Sequence, residues 1–136
     1  MRADPYLNFK GQCGEAFSLY ERVLGGTIVG KMSFAESPMA DQIPAEQRDW
    51  LIHARLVAGD VVLMGSDAPP DKYRAAAGTY ISLQVETPSE ADRIFGALAE
   101  GGRVEMPIQE TFWARRFGSC ADRFGILWMV NCDKPM

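Results

Sequence analysis

The sequence contains one pattern twice. Residues 15–26 run Glu-Ala-x-x-Leu-Tyr-x-x-Val and close on two glycines, and residues 90–102 run Glu-Ala-x-x-Ile-Phe-x-x-Leu and close in the same way. Each copy follows an alternating segment that begins with an aromatic residue, Tyr6 in the first half and Tyr80 in the second. A glycine followed by a short apolar run comes later in each half. These matches, in the same order, predict a duplicated structural unit.

Each repeated segment predicts an amphipathic helix, because its apolar residues recur every three or four positions and therefore lie on one stripe. The second helix has a clear start: Thr87 can cap it, Pro88 suits its first turn and Glu90 completes a capping box. The glycine pair after each segment supplies the left-handed residue that commonly ends a helix.

The remaining alternating or apolar runs predict strands. They are residues 6–9, 26–34, 50–57 and 61–66 in the first half and residues 80–85, 103–111, 113–121 and 126–132 in the second. Each half is therefore a βαβββ module, and the predicted fold class is α+β. The first module is predicted to cover residues 5–66 and the second residues 79–132, with a linker at residues 67–78.

Residues 35–49 form a loop with four acidic residues, one arginine and two prolines. We predict that this loop is exposed and mobile. A connection of this length is typical either of a lid over a site or of an inert surface excursion, and the sequence leaves both roles open.

Alternation assigns the strand residues to two faces of each sheet. Leu7 and Phe9 are predicted to pack beneath the first helix, with Tyr6 and Asn8 on the opposite face. In the fifth strand the apolar side chains are likewise predicted to pack beneath the second helix. The predicted outward set of that strand is Tyr80, Ser82 and Gln84.

The third strand carries the only histidine of the chain. Its predicted helix side holds Trp50, Ile52, Ala54 and Leu56. His53 and Arg55 are predicted on the other side, together with Leu51 and Val57. If the two modules curl towards each other, the polar faces enclose a cavity, and polar groups that converge in an apolar cleft indicate a ligand site.

The charge of the chain argues against binding to nucleic acid. It has 18 acidic against 14 basic side chains, a formal net charge of -4, so few cations are free to neutralise phosphates. No apolar run approaches the roughly 20 residues that a membrane-crossing helix needs, and no charged-then-apolar leader precedes Asp4. We therefore expect neither a nucleic-acid partner nor a membrane partner.

The cysteines give no sign of a metal or redox site. Cys13, Cys120 and Cys132 are odd in number and lack the C-x-x-C spacing of such sites. Reduced, buried thiols in a cytoplasmic protein are the interpretation that we favour.

Several segments together resemble the vicinal oxygen chelate superfamily, which holds glyoxalase I, extradiol dioxygenases, fosfomycin-resistance enzymes and bleomycin-binding proteins. They are residues 6–9, Glu15-Ala16-x-x-x-Tyr20, residues 59–67 and residues 122–128. The most specific is the last, Asp-Arg-Phe-Gly-x-x-Trp, with Thr111-x-Trp113 ahead of it. Within the superfamily the chain most resembles the PhnB-like family, and the similarity covers nearly its whole length.

The resemblance implies a U-shaped mixed sheet, built from the two modules around a cavity. It also implies a homodimer, in which modules of different chains often lie side by side. Metal enzymes of the superfamily take ligands, usually His, Glu or Gln, from the first, fourth, fifth and eighth strands. The matching positions in this chain are a residue between Asp4 and Tyr6, about Leu63, Tyr80 and about Met129.

None of the three assigned positions offers an imidazole or a carboxylate. A Zn or Ni site needs three or four converging N, O or S donors, so we predict no metal and no other cofactor. A divalent ion held by unusual ligands is the alternative.

The candidate ligand pocket combines the outward polar residues with the positions that the resemblance assigns. It consists of Tyr6, Asn8, His53, Arg55, Leu63, Asp67, Tyr80, Gln84, Trp113 and Met129. His53 is the best candidate for a catalytic residue, because an imidazole titrates near neutrality. It would act as a general base or polar anchor, with Arg55 beside it to hold an anionic group. The alternative is a strand histidine whose nitrogens are satisfied by a neighbour or by water.

Four further features have two interpretations each. Cys120 or Ser119 could approach His53 as a nucleophile, but no third group orients the base, which favours an inert buried thiol. Trp113 and Trp128 could each stack on a planar ligand or fill the core; we expect Trp113 at the mouth of a cavity and Trp128 in the core. Asp67 either closes the pocket or caps the linker turn. The pair at residues 115–116 splits across two faces, so that one arginine could enter the cavity.

Two functions remain open at this point. One is a metal-free protein that binds a small amphipathic molecule, neutral or cationic in view of the acidic balance. The other is a glyoxalase-type, lyase-type or dioxygenase-type metalloenzyme acting on a small oxygenated metabolite. PhnB-like chains are also often labelled ubiquinone-pathway methyltransferases. The sequence argues against that label, because the glycine pairs follow the helices instead of joining a strand to a helix.

Overall fold

Both helices form where the repeated pattern predicts them. A computed structural model, which describes residues 1–135, places α1 at Cys13–Leu24 and α2 at Pro88–Ala99. Gly25 ends α1 in the left-handed conformation with φ 72°, and its N–H donates to the carbonyl of Glu21 at 3.1 Å. At the start of α2 the hydroxyl of Thr87 accepts from the N–H of Glu90 at 3.1 Å, as the capping box predicts.

The strands complete two βαβββ modules, and the predicted α+β class is confirmed. Their bounds are β1 Tyr6–Phe9, β2 Thr27–Ser33, β3 Leu51–Ala58, β4 Val61–Asp67, β5 Ile81–Gln84, β6 Arg103–Gln109, β7 Ala114–Ala121 and β8 Leu127–Asp133. The strand orders are β1-β4-β3-β2 and β5-β8-β7-β6. In each sheet the first pair is parallel and the other two are antiparallel.

The chain divides into two compact units, unit 1 at Met1–Ala75 and unit 2 at Ala76–Met136. Each unit contains one sheet and one helix. No helix within residues 1–135 combines the length and the apolar character that crossing a bilayer requires.

A glycine in each sheet lets the helix approach closely. A Cβ atom at Gly65 of β4 would lie 2.8 Å from the ring of Phe17 in α1, and one at Gly118 of β7 would lie 2.8 Å from the ring of Phe95 in α2. Phe17 is fully buried, and Phe95 is 5% exposed. Since burying such a side chain stabilises a fold by about 1.5–3 kcal/mol, these two contacts are central to each module.

The faces of β1 follow the predicted alternation. Leu7 and Phe9 are buried, whereas Tyr6 is exposed and Asn8 half-buried. In β5, Leu83 is buried and Gln84 exposed, again as alternation predicts.

The prediction for the start of the third strand was wrong. Ile52 was expected on the helix side and Leu51 opposite, but Leu51 is buried, 3.7 Å from where a Cβ at Gly14 of α1 would lie. The pairing explains the difference: Ser33 lies opposite Leu51 while Met32 lies opposite His53, so Ile52 is the extra residue of a β-bulge. A bulge shifts the alternation by one residue.

The acidic segment 35–49 has local structure of its own. It contains two short 3-10 turns, Ala40–Gln42 and Ala45–Gln47, and a buried Ser37 whose hydroxyl donates to the carbonyl of Phe34 at 2.7 Å. At its ends the N–H of Ala35 donates to the carbonyl of Arg48 at 2.9 Å. Its mobility remains a prediction.

Gly118→Ala tests the close approach of α2 to its sheet. We expect unfolding in urea to show a loss of about 1–3 kcal/mol, because the new methyl group overpacks against Phe95 and the backbone of Ile108. Gly96→Ala is the matched control: Gly96 lies in α2 with open space around it, so removing a helical glycine should stabilise by about 0.5–1 kcal/mol. Equal effects of the two substitutions would contradict the packing described.

Candidate functional site

The face of sheet 1 that points away from α1 is defined by the register of β3 and β4. Gly65 faces α1, and its partner Ala54 is fully buried on the same side. Their neighbours Met64 and Arg55, which are also register partners, therefore point the other way. The distal face of unit 1 consists of Tyr6, Asn8, His53, Arg55, Met64 and Ser66.

Sequence reasoning placed four of these residues together, and the structure does so too. The rings of Tyr6 and His53 lie 6.2 Å apart between centroids. Arg55 is half-buried, and its Nε is buried without a hydrogen-bond partner. The face thus offers an imidazole, a phenol and an unpaired guanidinium N–H.

The distal face of unit 2 follows by the same argument from Gly118, which faces α2. Phe117 and Ser119 on either side of it point away, and their partners in β8 are Asn131 and Met129. On the other side of β8 these two residues pair with Gln84 and Ser82 of β5. The distal face of unit 2 consists of Ser82, Gln84, Phe117, Ser119, Met129 and Asn131.

Asn131 is the central polar residue of this face and is 7% exposed. Its Nδ2 donates to Oε1 of Gln84 at 2.8 Å and to Oδ1 of Asp133 at 2.7 Å. Gln84 Nε2 in turn donates to the hydroxyl of Ser82 at 3.1 Å. Since an ionised carboxylate only accepts, Asp133 identifies the atom facing it as the nitrogen. The amide oxygen of Asn131 is therefore the atom without a partner.

These two unpaired atoms stand out against the rest of the chain. Among the buried side-chain nitrogen and oxygen atoms of residues 1–135, Arg55 Nε and Asn131 Oδ1 are the two that lack a hydrogen-bond partner. One is a donor on the distal face of unit 1, and the other is an acceptor on the distal face of unit 2. Sequence reasoning missed Asn131, although a polar residue between Val130 and Cys132 was a usable signal.

Three aromatic rings adjoin the distal face of unit 2. Trp113 contacts Phe112 and Phe117 edge to face, with centroid distances of 4.8 and 5.3 Å. Phe112 is 89% exposed and Trp113 43% exposed. Trp128 is instead fully buried, and its Nε1 donates to Oδ2 of Asp122 at 2.9 Å. The expectation of Trp128 in the core is confirmed.

Comparisons with known proteins identify the fold. Residues 3–130 match the family model of the Glyoxalase/Bleomycin resistance protein/Dioxygenase superfamily. The chain belongs to this superfamily. It is 38% identical to protein YjdN of Escherichia coli K12, over 98% of this chain and 97% of that protein.

Two solved structures resemble this one. Protein PA1353 from Pseudomonas aeruginosa is 48% identical, with a TM-score of 0.90 over 99% of both chains. The PhnB protein from Bacillus cereus, described as a candidate 3-demethylubiquinone-9 3-methyltransferase, has a TM-score of 0.82 at 22% identity, over 97% of this chain and 99% of that chain. At that identity the second likeness shows the fold alone.

Two residues of the predicted pocket lie on the other side of their sheet. Leu63 alternates with Gly65 and is fully buried on the α1 side. Asp67 lies on that side too and is 3% exposed. Its Oδ1 accepts from the N–H groups of Gly11 at 2.8 Å and Cys13 at 3.0 Å, and its Oδ2 from that of Leu51 at 2.9 Å. Both residues were predicted to line the ligand pocket; in the structure they pack beneath the helix, on the opposite face of the sheet from His53.

Tyr80, the predicted fifth-strand ligand position, precedes β5 and is already engaged. Its hydroxyl donates to Oε1 of Glu105 at 2.6 Å, and this hydrogen bond raises the pKa of Tyr80. The same bond, with help from Arg103 at 3.2 Å, lowers the pKa of Glu105. A phenol held in this way stays protonated and is a poor metal ligand.

The donor set does not fit the metal centre known from enzymes of this superfamily. Within residues 1–135 no three His, Cys, Asp or Glu side chains lie close enough together to hold a metal ion. Of the assigned positions, Leu63 is an apolar core residue and Met129 offers a half-buried thioether. These groups lack the imidazoles and carboxylates of a catalytic Zn or Mn site.

The three cysteines are buried, and both arginines of the pair are engaged in contacts within the chain. Cys120 is fully buried and alternates with Ser119, so it lies on the α2 side of its sheet, and burial raises its pKa to about 11. Such a thiol is not available as a nucleophile. Arg116 pairs with Asp92 of α2 at 2.8 Å, and Arg115 donates to the backbone oxygens of Asp133 and Glu86.

A shallow groove of about 450 Å³ lies between α1 and β2, lined by Ser18, Glu21 and residues 28–31. Its carboxylate, Glu21, already accepts from the N–H of Ile28 at 2.8 Å. We assign no ligand to this groove.

Asp67→Ala tests whether this buried carboxylate is structural. Three backbone N–H groups would lose their acceptor, and we expect urea unfolding to show a loss of about 2–4 kcal/mol. Asp67→Asn, which keeps one acceptor oxygen, should lose less. Asp60→Ala, at an exposed turn, is the control and should change stability by less than about 0.5 kcal/mol. A neutral effect of Asp67→Ala would show that these bonds contribute little.

Proposed function

We propose that this superfamily member is a metal-free protein that binds a small molecule on its distal faces, with no reaction assigned. The observation that carries the proposal is the position of the two unpaired buried atoms, Arg55 Nε and Asn131 Oδ1, on those faces. A buried polar group without a partner costs about 1–3 kcal/mol, and native structures contain few of them. A ligand that supplies the missing partners removes that cost.

The distal face of unit 1 indicates what a ligand would present there. Arg55 Nε needs an acceptor such as a carbonyl, hydroxyl or ether oxygen. Tyr6 and His53, whose rings lie 6.2 Å apart, add an aromatic surface and further polar atoms beside it. The net charge of -4 favours a neutral or cationic molecule over an anion.

The donor set supports the metal-free part of the proposal, since the assigned positions hold leucine, tyrosine and methionine. Methyl transfer is not part of it: the glycine pairs follow the helices, with Gly25 ending α1, and the turn between β1 and α1 contains Gly11 alone and lacks the G-x-G-x-x-G pattern of a cofactor-binding turn. We also propose a cytoplasmic location, because the three cysteines are free.

We also propose a homodimer, with modules of the two chains side by side. The basis is the resemblance described above, and light scattering of the purified protein tests it. A mass near 15 kDa, that of one chain, would reject the dimer and leave the binding function standing.

The binding function predicts ligand stabilisation that depends on Arg55. Against a panel of neutral phenols, aromatic amides and hydroxyketones, we expect at least one compound to raise the Tm of the purified protein. Arg55→Met should abolish that shift because it removes the unpaired donor. Arg48→Met, in the exposed segment 35–49, is the control and should keep it.

Elemental analysis after dialysis tests the metal-free assignment in the same preparation. We expect divalent metal well below one ion per chain. A stoichiometric ion that resists dialysis would overturn the assignment in favour of a glyoxalase-type or dioxygenase-type metalloenzyme, with His53 as the first residue to examine.

In the ligand-stabilisation experiment, a Tm shift that survives in Arg55→Met would exclude the distal face of unit 1 as the binding site.

A further inference from the structure

The distal face of unit 2 indicates a narrower class of ligand than the proposed function states. Asn131 presents an acceptor alone, because both N–H bonds of its amide are already directed at Gln84 and Asp133. Its Oδ1 is buried and unpaired in a residue that is 7% exposed. A molecule that satisfies this atom must therefore donate an N–H or O–H.

The surroundings of Asn131 are aromatic. Phe117 is its direct partner across the β7–β8 pair, and side chains at directly opposed positions have Cβ atoms about 4.5–5.5 Å apart. The Phe117 ring contacts Trp113, and Trp113 contacts Phe112, so the aromatic surface continues from the buried amide to solvent. Rings arranged edge to face in this way present surface on which another planar ring can pack.

The charges nearby favour an uncharged ring. Asp133, which accepts from Asn131, would repel an anion. Two cations lie near this face, and both are already engaged: Lys134, next to Asp133 in sequence, pairs with Glu110 at 3.3 Å, and Arg115 donates to two backbone oxygens. A neutral ring therefore loses the least solvation on entering this site.

We propose that this face binds a neutral planar heteroaromatic molecule that donates a ring N–H to Asn131 Oδ1 and packs against Phe117 and Trp113. The inference rests on the proposed binding function and names the ligand class for one of its two faces.

A matched pair of probes tests the donor requirement in the full chain. We would titrate the protein with 5-fluoroindole and with 5-fluoro-1-methylindole, following each by ¹⁹F NMR. The rings are nearly identical, but only the first can donate, so we expect it to bind about tenfold more tightly. This comparison needs no substitution in the protein.

Variants then locate the effect. Asn131→Leu should bring the two affinities within about twofold, whereas Gln42→Leu, which removes an exposed amide elsewhere, should preserve the tenfold ratio. Trp113→Ala should weaken both probes by similar factors, because stacking does not depend on the N–H.

Three results would overturn the inference: equal affinities in the unsubstituted protein, a tenfold ratio that persists in Asn131→Leu, or no binding of either probe at millimolar concentration. None of these affects the Arg55-dependent stabilisation by other compounds, which tests the proposed function separately. If that stabilisation also fails, the binding function itself is rejected.

Discussion

The first unit depends on one buried carboxylate. Asp67 ends β4 and accepts hydrogen bonds from the loop before α1, from the first turn of α1 and from the start of β3. The donors at Gly11 and Cys13 are far in sequence from Leu51 and from Asp67 itself, so the side chain fixes how helix and sheet meet. Asp122 has a comparable role in unit 2, where it accepts from the N–H groups of Phe124 and Ile126 and from the indole of Trp128.

With the helix fixed on one side of each sheet, alternation places a mixture of polar, aromatic and thioether side chains on the other side. Gly65 and Gly118 bring Phe17 and Phe95 close to their sheets, so that the helix side of each sheet is apolar and tightly packed. The distal faces carry the histidine, arginine, asparagine and glutamine side chains beside Tyr6, Phe117 and two methionines. The two unpaired buried atoms of the described chain are both found there.

Membership of the superfamily defines the fold and leaves the chemistry open. Function resides in sites that are built on a fold, and unrelated reactions share this one. In this chain the strand positions that resemble metal-ligand positions hold a core leucine, a hydrogen-bonded tyrosine and a thioether. The proposed function therefore rests on the unpaired donor of Arg55 and the unpaired acceptor of Asn131, each of which a ligand with a complementary polar atom would satisfy.

The sequence alone determined the two helices, the order of helix and strands along each repeat, and the face of its own strand on which each of Tyr6, Asn8, His53 and Arg55 lies, because period and capping act over a few residues. Tertiary structure decided the rest. The bulge at Ile52 arises from pairing with β2, and Asp67 is drawn beneath α1 by N–H groups from distant segments. Asp133 and Gln84 orient the amide of Asn131 by accepting from its nitrogen, and its oxygen is left unpaired. Contacts of this kind depend on which strands lie side by side, and local pattern does not encode that geometry.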